Sequence, residues 1–241
     1  QGAPVFFTEE TSSTMDDARR LVRNGSPPGT VVVTDYQSAG RGRRAGRVWV
    51  APPRESLMFT LVLERPREPV TRSLVMAASV VRLLERRVRH RVEVKWPNDI
   101  LVNGRKICGI LADHDGTWLS LGVGLNLLQR SFPPQIAGIA TSLSIELGDD
   151  PPGSLEWEAF RDGLLLELLT LYTETGDSWH DILASRLWGK GEDVRIALPG
   201  GGIQHGRIEG IARDGALLVD DGTVHRLAAG EVSLYRKEQH E

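Results

Sequence analysis

The chain of 241 residues carries 29 Lys+Arg against 32 Asp+Glu, a formal net charge of −3, with 40% hydrophobic residues, 25% charged residues and a single cysteine, Cys108. Such a balance describes a globular protein with chain enough for one large domain or a large and a small one, and excludes a surface given over wholly to nucleic acid or anionic lipid. No apolar run reaches the ~20 residues of a membrane-spanning helix, and a lone cysteine forms no intramolecular disulfide, so a cytoplasmic protein is expected.

In chain order, MDDARRLVRNG sets Ala18, Leu21 and Val22 at helical spacing, with Ser or Thr as cap, Asp16 and Asp17 in the first turn and Asn24-Gly25 as stop. TVVVTDYQ (30–37) predicts a strand; 38–47 (SAGRGRRAGR) suits neither element. Ser56 to Leu63 predicts a strand, and Thr71 to Val88 a helix with Leu74, Val75, Ala78, Val81 and Leu84 on one face. VEVKW, ILV, KICGILAD and WLSLGVGLNL then read as short strands joined at Asn103-Gly104 and Asp115-Gly116. These dipeptides suit two-residue turns in which both central residues need positive φ, so the middle is an antiparallel sheet. A long helix from about Leu155 to Thr175 and a shorter piece to about Trp188 follow. After Gly189 only short strands and Asp-Gly turns remain, which predict a small β-barrel. The division falls near residue 189: an α/β (α+β) domain over 1–188 and a β module over 189–241.

Four arginines, Arg41, Arg43, Arg44 and Arg47, stand among glycines in the loop from Gly40, and no acidic residue occurs from Tyr36 to Arg54. Glycine lets backbone approach a ligand, and arginine forks grip phosphate or carboxylate, so this loop is expected to order around an anion. Gly40-x-Gly42-x-x-Ala45 imitates a dinucleotide fingerprint, but no helix opens behind it. In Lys95-Trp96-Pro97-Asn98-Asp99, the amide of Asn98 and carboxylate of Asp99 end a strand, where they could hold a magnesium-bound phosphate or orient an amine. Lys106 lies on the returning arm, and strict alternation places it on the face of Cys108 and Ile110; taken alone, a strand lysine is more often a snorkelling surface residue. Cys108 reads as core, and the six histidines lack zinc-ligand spacing.

Ser13-Thr14, Gln37, Ala39-Gly40-Arg41-Gly42-Arg43-Arg44, Trp49, Lys95 to Asp99, Lys106 with Gly109, Gly122-Val123-Gly124-Leu125-Asn126 and the closing Ala229 to Leu234 occur in the order of the biotin protein ligase family, which the chain resembles over nearly its whole length. The resemblance implies a mixed sheet similar to class II aminoacyl-tRNA synthetases, followed by an SH3-like domain. It implies biotin, ATP and Mg²⁺ as the reaction's small molecules: biotin and MgATP give biotinyl-5′-AMP, and a lysine of a biotin carboxyl carrier domain, of acetyl-CoA carboxylase or another biotin enzyme, takes the acyl group. By the same resemblance Lys106, Arg41 and Asp99 are catalytic. Ser13, Thr14, Gln37, Gly40, Arg41, Gly42, Arg43, Lys106, Gly109, Gly122 and Gly124 hold biotin. Arg43, Arg44, Arg47, Trp49, Asn98, Lys106 and Asn126 hold ATP or the adenylate, and Asp99 reaches magnesium through phosphate.

The loop GRGRRAGR is one residue longer than the family's usual form, so Gly40 to Arg43 align while Arg44 to Arg47 do not. Met15 replaces the Asn that commonly follows Ser-Thr, and receives no hydrogen-bonding role. Little chain precedes Ser13, so the resemblance implies a short form without a DNA-binding domain; family members often dimerise. Two other readings stay open at this point: a lipoate ligase, and a non-catalytic module whose cationic loop and β-barrel bind nucleic acid.

Overall fold

The computed structural model describes residues 3–43, 48–64, 69–115 and 117–234. Strand β1 (Val5–Thr11) leads into helix α1 (Thr14–Arg23), β2 (Val31–Gln37) and a small hairpin of β3 (Gly40–Arg41) and β4 (Val48–Trp49). Next come β5 (Ser56–Glu64), α2 (Pro69–Glu85), β6 (Val92–Lys95), β7 (Asp99–Val102), β8 (Arg105–Asp115) and β9 (Trp118–Asn126). Helices α3 (Leu143–Leu147), α4 (Trp157–Thr175) and α5 (Trp179–Arg186) precede β10 (Asp193–Ala197), β11 (Ile203–Ile211), β12 (Leu217–Asp220), β13 (Val224–Leu227) and β14 (Glu231–Leu234). Gly116 and residues 44–47, including Arg44 and Arg47, lie outside the described residues, so the expectations for them have no structural counterpart.

Seven strands form one sheet in the order β1-β2-β5-β9-β8-β7-β6, in which β1 runs parallel to β2 and the other neighbours are antiparallel. Alternation sorts the two faces. In β9, Leu119, Leu121, Val123 and Leu125 join Phe59, Ile110 and Cys108 in a core closed by Leu74 and Leu84 of α2, Leu164 and Leu168 of α4 and Leu183 of α5. Each such side chain, fully buried, contributes roughly 1.5–3 kcal/mol. The other face meets α1, through Ala18 and Val22 on Val32 and Val62. Here β9 presents Gly122 and Gly124, so the sheet is bare beside the helix.

Asn103 (φ 50°) and Gly104 (φ 73°) make the expected tight turn between β7 and β8. Helix α1 departs from expectation at its start. Ser13 sits at the N-cap position with extended backbone but makes no side-chain cap hydrogen bond, and the Thr14 N–H is taken instead by Gln37 Oε1. The short helix α3 falls in a stretch to which the sequence reading assigned no element; its cap is Ser142, whose Oγ accepts from the Ile145 N–H at 3.2 Å.

The C-terminal strands form an antiparallel sheet in the order β13-β12-β11-β10-β14. Trp96, 2% exposed, donates its indole N–H to Gly215 O at 2.9 Å, and His180 Nε2 of α5 meets Ile211 O at 2.8 Å, so the turn end of the β11–β12 hairpin is tied at two points to residues of the preceding part of the chain.

Helix α4 is fastened to β2 by a buried charge. Asp35, 3% exposed, accepts from Trp157 Nε1 at 2.7 Å, Arg161 Nη1 at 2.9 Å and Arg54 Nε at 3.1 Å. Burial opposes the charge on Arg161, and hydrogen bonds to Asp162 and Asp35 more than offset it, raising its pKa. Removing one partner of a buried pair strands the other. Asp35→Ala is therefore expected to destabilise the fold by about 3–5 kcal/mol in urea titration, and Asp35→Asn by less, since the amide oxygen still accepts.

Candidate active site

Across the sheet, Gly109 of β8 pairs directly with Gly124 of β9, with Met58 of β5 beyond one and Asp99 of β7 beyond the other. Two adjacent residues without side chains leave a trough between a thioether and a carboxylate. A Cβ on Gly124 would stand 2.5 Å from Trp49 Cε2, and one on Gly109 would stand 3.3 Å from Trp49 Cζ3 and 3.1 Å from Lys106 Nζ. The indole of Trp49 thus lies in this trough, with Lys106 Nζ 5.8 Å from its ring centre. Its Nε1 is buried and finds no acceptor among the described residues, a desolvated donor worth roughly 1–3 kcal/mol in lost hydrogen bonding.

The orientation of Lys106 overturns simple alternation. Ile100 pairs with Cys108 but Leu101 pairs with Lys106, so Ile107 is an extra residue in a β-bulge. Ile107 and Cys108 are both buried in the core, and Lys106 is turned to the opposite face, with Gly109 rather than with Cys108 and Ile110. Its Nζ lies 2.7 Å from Asp99 Oδ1, with a third of the lysine side chain exposed. The lysine is therefore neither a snorkelling surface group nor a core intruder: the bulge re-aims it into the cavity.

The far end of the cavity is a rigid polar relay. The Thr14 N–H donates to Gln37 Oε1 at 2.9 Å, the Thr14 hydroxyl donates to the same oxygen at 3.2 Å, and Thr60 Oγ1 donates to Thr14 Oγ1 at 2.8 Å. A backbone N–H can only donate, so the Gln37 carboxamide is fixed with its nitrogen outward, 3.6 Å from Met58 Sδ. Thr60, unnoticed in the sequence, belongs to this relay; its place opposite Gly122 in the β5–β9 register is the signal that could have found it. Met15 forms a wall, since a Cβ on Gly122 would stand 2.9 Å from its Sδ.

Ser13, Thr14, Met15, Gln37, Arg41, Gly42, Arg43, Trp49, Asn98, Lys106, Gly109, Gly122 and Gly124 all line one cavity of about 70 Å³. Ligand pockets commonly hold about 300–1,000 Å³, and the Trp49 ring takes up part of the difference. A cavity of about 780 Å³ lies elsewhere, lined by residues such as Arg86, Arg87, Leu143, Phe160 and Glu167. Its arginines are already paired with Glu167, and it shares no lining residue with the smaller cavity, so chemistry rather than size identifies the site.

Several assignments change with the geometry. Arg41 Nη2 lies 2.5 Å from Asp16 Oδ1, and Arg43 Nη2 donates to Gly230 O at 2.7 Å, so both described loop arginines hold protein acceptors. Gly40 is needed for close approach, because a Cβ there would stand 2.6 Å from Trp49 O. Asn98 donates its side-chain amide to Ile110 O at 2.9 Å while its backbone carbonyl accepts from the Ile110 N–H, which spends the donor on clamping β8. Asn126 is removed from the cavity: buried to 5% exposure, it donates to Thr141 O at 3.0 Å. Asp99 is engaged with Lys106, and among the described residues no three His, Cys, Asp or Glu side chains are grouped to hold a metal.

Among known proteins, the profile of the Biotin/lipoate A/B protein ligase family matches residues 7–126, and that of the Biotin protein ligase C terminal domain matches residues 191–235. The Mycobacterium tuberculosis biotin–[acetyl-CoA-carboxylase] ligase is 32% identical over 92% of this chain and 86% of its own length. The Bacillus spizizenii bifunctional ligase/repressor BirA is 38% identical, over 61% of this chain; the match spans about half, 48%, of that relative's length. The Aquifex aeolicus biotin protein ligase in complex with biotin and ATP superposes with a TM-score of 0.81 at 27% identity, covering 97% of this chain and 99% of that one. The chain belongs to the biotin protein ligase family, and its large mixed sheet with a C-terminal antiparallel β domain is that family's fold.

Cys108, between Lys106 and Gly109 in the chain, faces the core and not the site. Burial pushes its thiol far above the ordinary cysteine range, with Lys106 lowering it only in part and Asp99 adding to the rise. A buried neutral thiol is a poor nucleophile. Iodoacetamide is expected to leave the native protein unmodified by intact-mass measurement and to add one adduct after denaturation.

Proposed function

We propose that this protein is an ATP-dependent biotin protein ligase, which makes biotinyl-5′-AMP and then acylates a lysine of a biotin carboxyl carrier domain. The observation that carries the reading is the lysine turned by a bulge onto a glycine trough whose other end is the Thr14–Gln37–Thr60 relay. The outward amide nitrogen of Gln37 suits a urea carbonyl, and Ser13 and Thr14 add hydroxyls beside it. The bare strip over Gly122, Gly124 and Gly109 then admits a ring and an acyl chain, and Lys106 meets the carboxylate at its end. This sequence of polar, bare and cationic surface also supports biotin over lipoate, whose dithiolane offers no urea to the relay.

In the first step a biotin carboxylate oxygen bonds to the α-phosphorus of ATP as the bond to the β-phosphate oxygen breaks, releasing pyrophosphate. Negative charge spreads over phosphoryl oxygens, and a fixed ammonium in a water-poor cleft stabilises it. Asp99 steadies that ammonium from beneath. Arg41 and Arg43 join only by exchanging Asp16 and the Gly230 carbonyl for ligand oxygens, and Trp49 must leave part of the trough for the ligand, with its ring then available to an adenine. In the second step the acceptor amine attacks the acyl carbon, the bond to AMP breaks and the nitrogen loses one proton. Magnesium enters as part of the substrate MgATP; with Asp99 committed to Lys106, the described residues build no resident metal site.

We place the division between catalytic and C-terminal modules at residue 189, where Gly189 (φ 72°) and Gly191 (φ 81°) turn the chain. The nucleic-acid reading loses support, because Arg41 and Arg43 are held by protein acceptors. No described helix is long and apolar enough to cross a membrane.

Incubation with MgATP and either biotin or lipoate, followed by mass spectrometry, is expected to yield biotinyl-AMP; lipoyl-AMP alone, or neither, contradicts the proposal. Lys106→Ala is expected to slow adenylate formation by about 10²–10³-fold, the scale of losing one preorganised charge-stabilising group, with an unchanged unfolding midpoint. A wild-type rate would return Lys106 to the surface.

A further inference from the structure

Lys106 is held by more than its own strand. Its backbone N–H donates to Ile139 O at 2.8 Å, and its carbonyl accepts from the Thr141 N–H at 2.8 Å, so the segment 139–141 clamps the lysine on the side away from β7. That segment carries no regular structure of its own, and its placement depends on side chains. Asn126 Nδ2 holds the Thr141 carbonyl, and the Thr141 hydroxyl, fully buried, donates to Glu146 Oε1 at 2.5 Å.

Glu146, on α3, has no exposed side-chain surface. Besides Thr141 it receives Arg105 Nη2 at 2.7 Å, and His90 Nδ1 lies 2.8 Å from its other oxygen. Arg105 directly precedes Lys106 in the chain. One buried carboxylate thus gathers the residue before the lysine and the hydroxyl of the segment bonded across from it. Burying a carboxylate is costly unless it is matched by donors, so the cluster ties β8, the segment 139–141 and α3 to one another, with His90 of the connection between α2 and β6 alongside.

We infer that Glu146 is a positioning residue for Lys106, acting through Thr141 and Arg105 to hold the bulge that aims the ammonium into the cavity. The inference rests on the biotin ligase reading above. Glu146 does not line the cavity, and the relay expected to read the ureido group stands on α1, β2 and β5, away from this cluster. Loosening the clamp should therefore affect the chemical step and spare binding.

The test measures adenylate formation by wild-type protein, Glu146→Gln and Thr141→Val, with rates expressed per biotin-binding site. Glu146→Gln is expected to lower kcat about tenfold, since small misplacements of a catalytic group are costly, while KM for biotin stays within about twofold. Thr141→Val, which removes only the hydroxyl, should reproduce the pattern and carries the test if the glutamine variant does not fold. In a Lys106→Gln background, Glu146→Gln should change the residual rate by less than about twofold, because the group it positions is gone. Unchanged kcat, a loss that falls on KM, or an equal further loss in the Lys106→Gln background each overturns the inference and leaves the ligase reading standing. Wild-type protein that forms no biotinyl-AMP overturns both.

Discussion

Gly109 and Gly124 face each other across β8 and β9, and the lack of two Cβ atoms there decides where the neighbouring groups can go. An alanine at either position would compete with the Trp49 ring or with Lys106 Nζ. The rest of the face is arranged around that bare strip, with Met58 and the Thr14–Gln37–Thr60 relay on one side and Asp99 with Lys106 on the other. The same strands are continuously apolar on their opposite face, where Leu121, Val123, Leu125 and Ile110 join the main core. The stability of the sheet and the emptiness of its working face are therefore two phases of one alternation.

The second constraint is the bulge at Ile107. Without it Lys106 would point among Cys108 and Ile110, where an ammonium has no partner and desolvation would disfavour its charge. With it, the extra apolar residue goes into the core and the lysine comes out beside a carboxylate. The backbone of Lys106 is then bonded on the other side to segment 139–141, so the aim of one charged group depends on residues over thirty positions away in the chain.

Elements with strong local signals were legible in the sequence: α1 from its spacing and stop, the Asn103-Gly104 hairpin from its demand for positive φ, and the long helix α4 from its length. Most cavity-lining residues were reached through the family resemblance, because the motifs carrying it are the glycines and the lysine that build the trough. What sequence could not supply was register. Alternation misplaced Lys106 because a bulge leaves no mark in an apolar run such as ICGILA, and Asn126 looked like a ligand group until its amide was seen spent on Thr141. Helix α3 is only five residues long, too short for its spacing to stand out, which hid Glu146. The arginines looked like free cations because their partners, Asp16 and the Gly230 carbonyl, are distant in sequence and, for Gly230, not a side chain at all.

On the proposed reading, both described loop arginines and the Trp49 ring stand where the ligand goes, and binding exchanges their internal partners for substrate atoms. The most direct check on the central claim is a crystal structure with biotin and a non-hydrolysable ATP analogue. The account predicts the ureido oxygen at Gln37 Nε2, the acyl chain over Gly109 and Gly124, and the carboxylate within hydrogen-bond distance of Lys106 Nζ. Biotin bound in the larger cavity beside Arg86 and Phe160, or with its carboxylate turned away from Lys106, would contradict it.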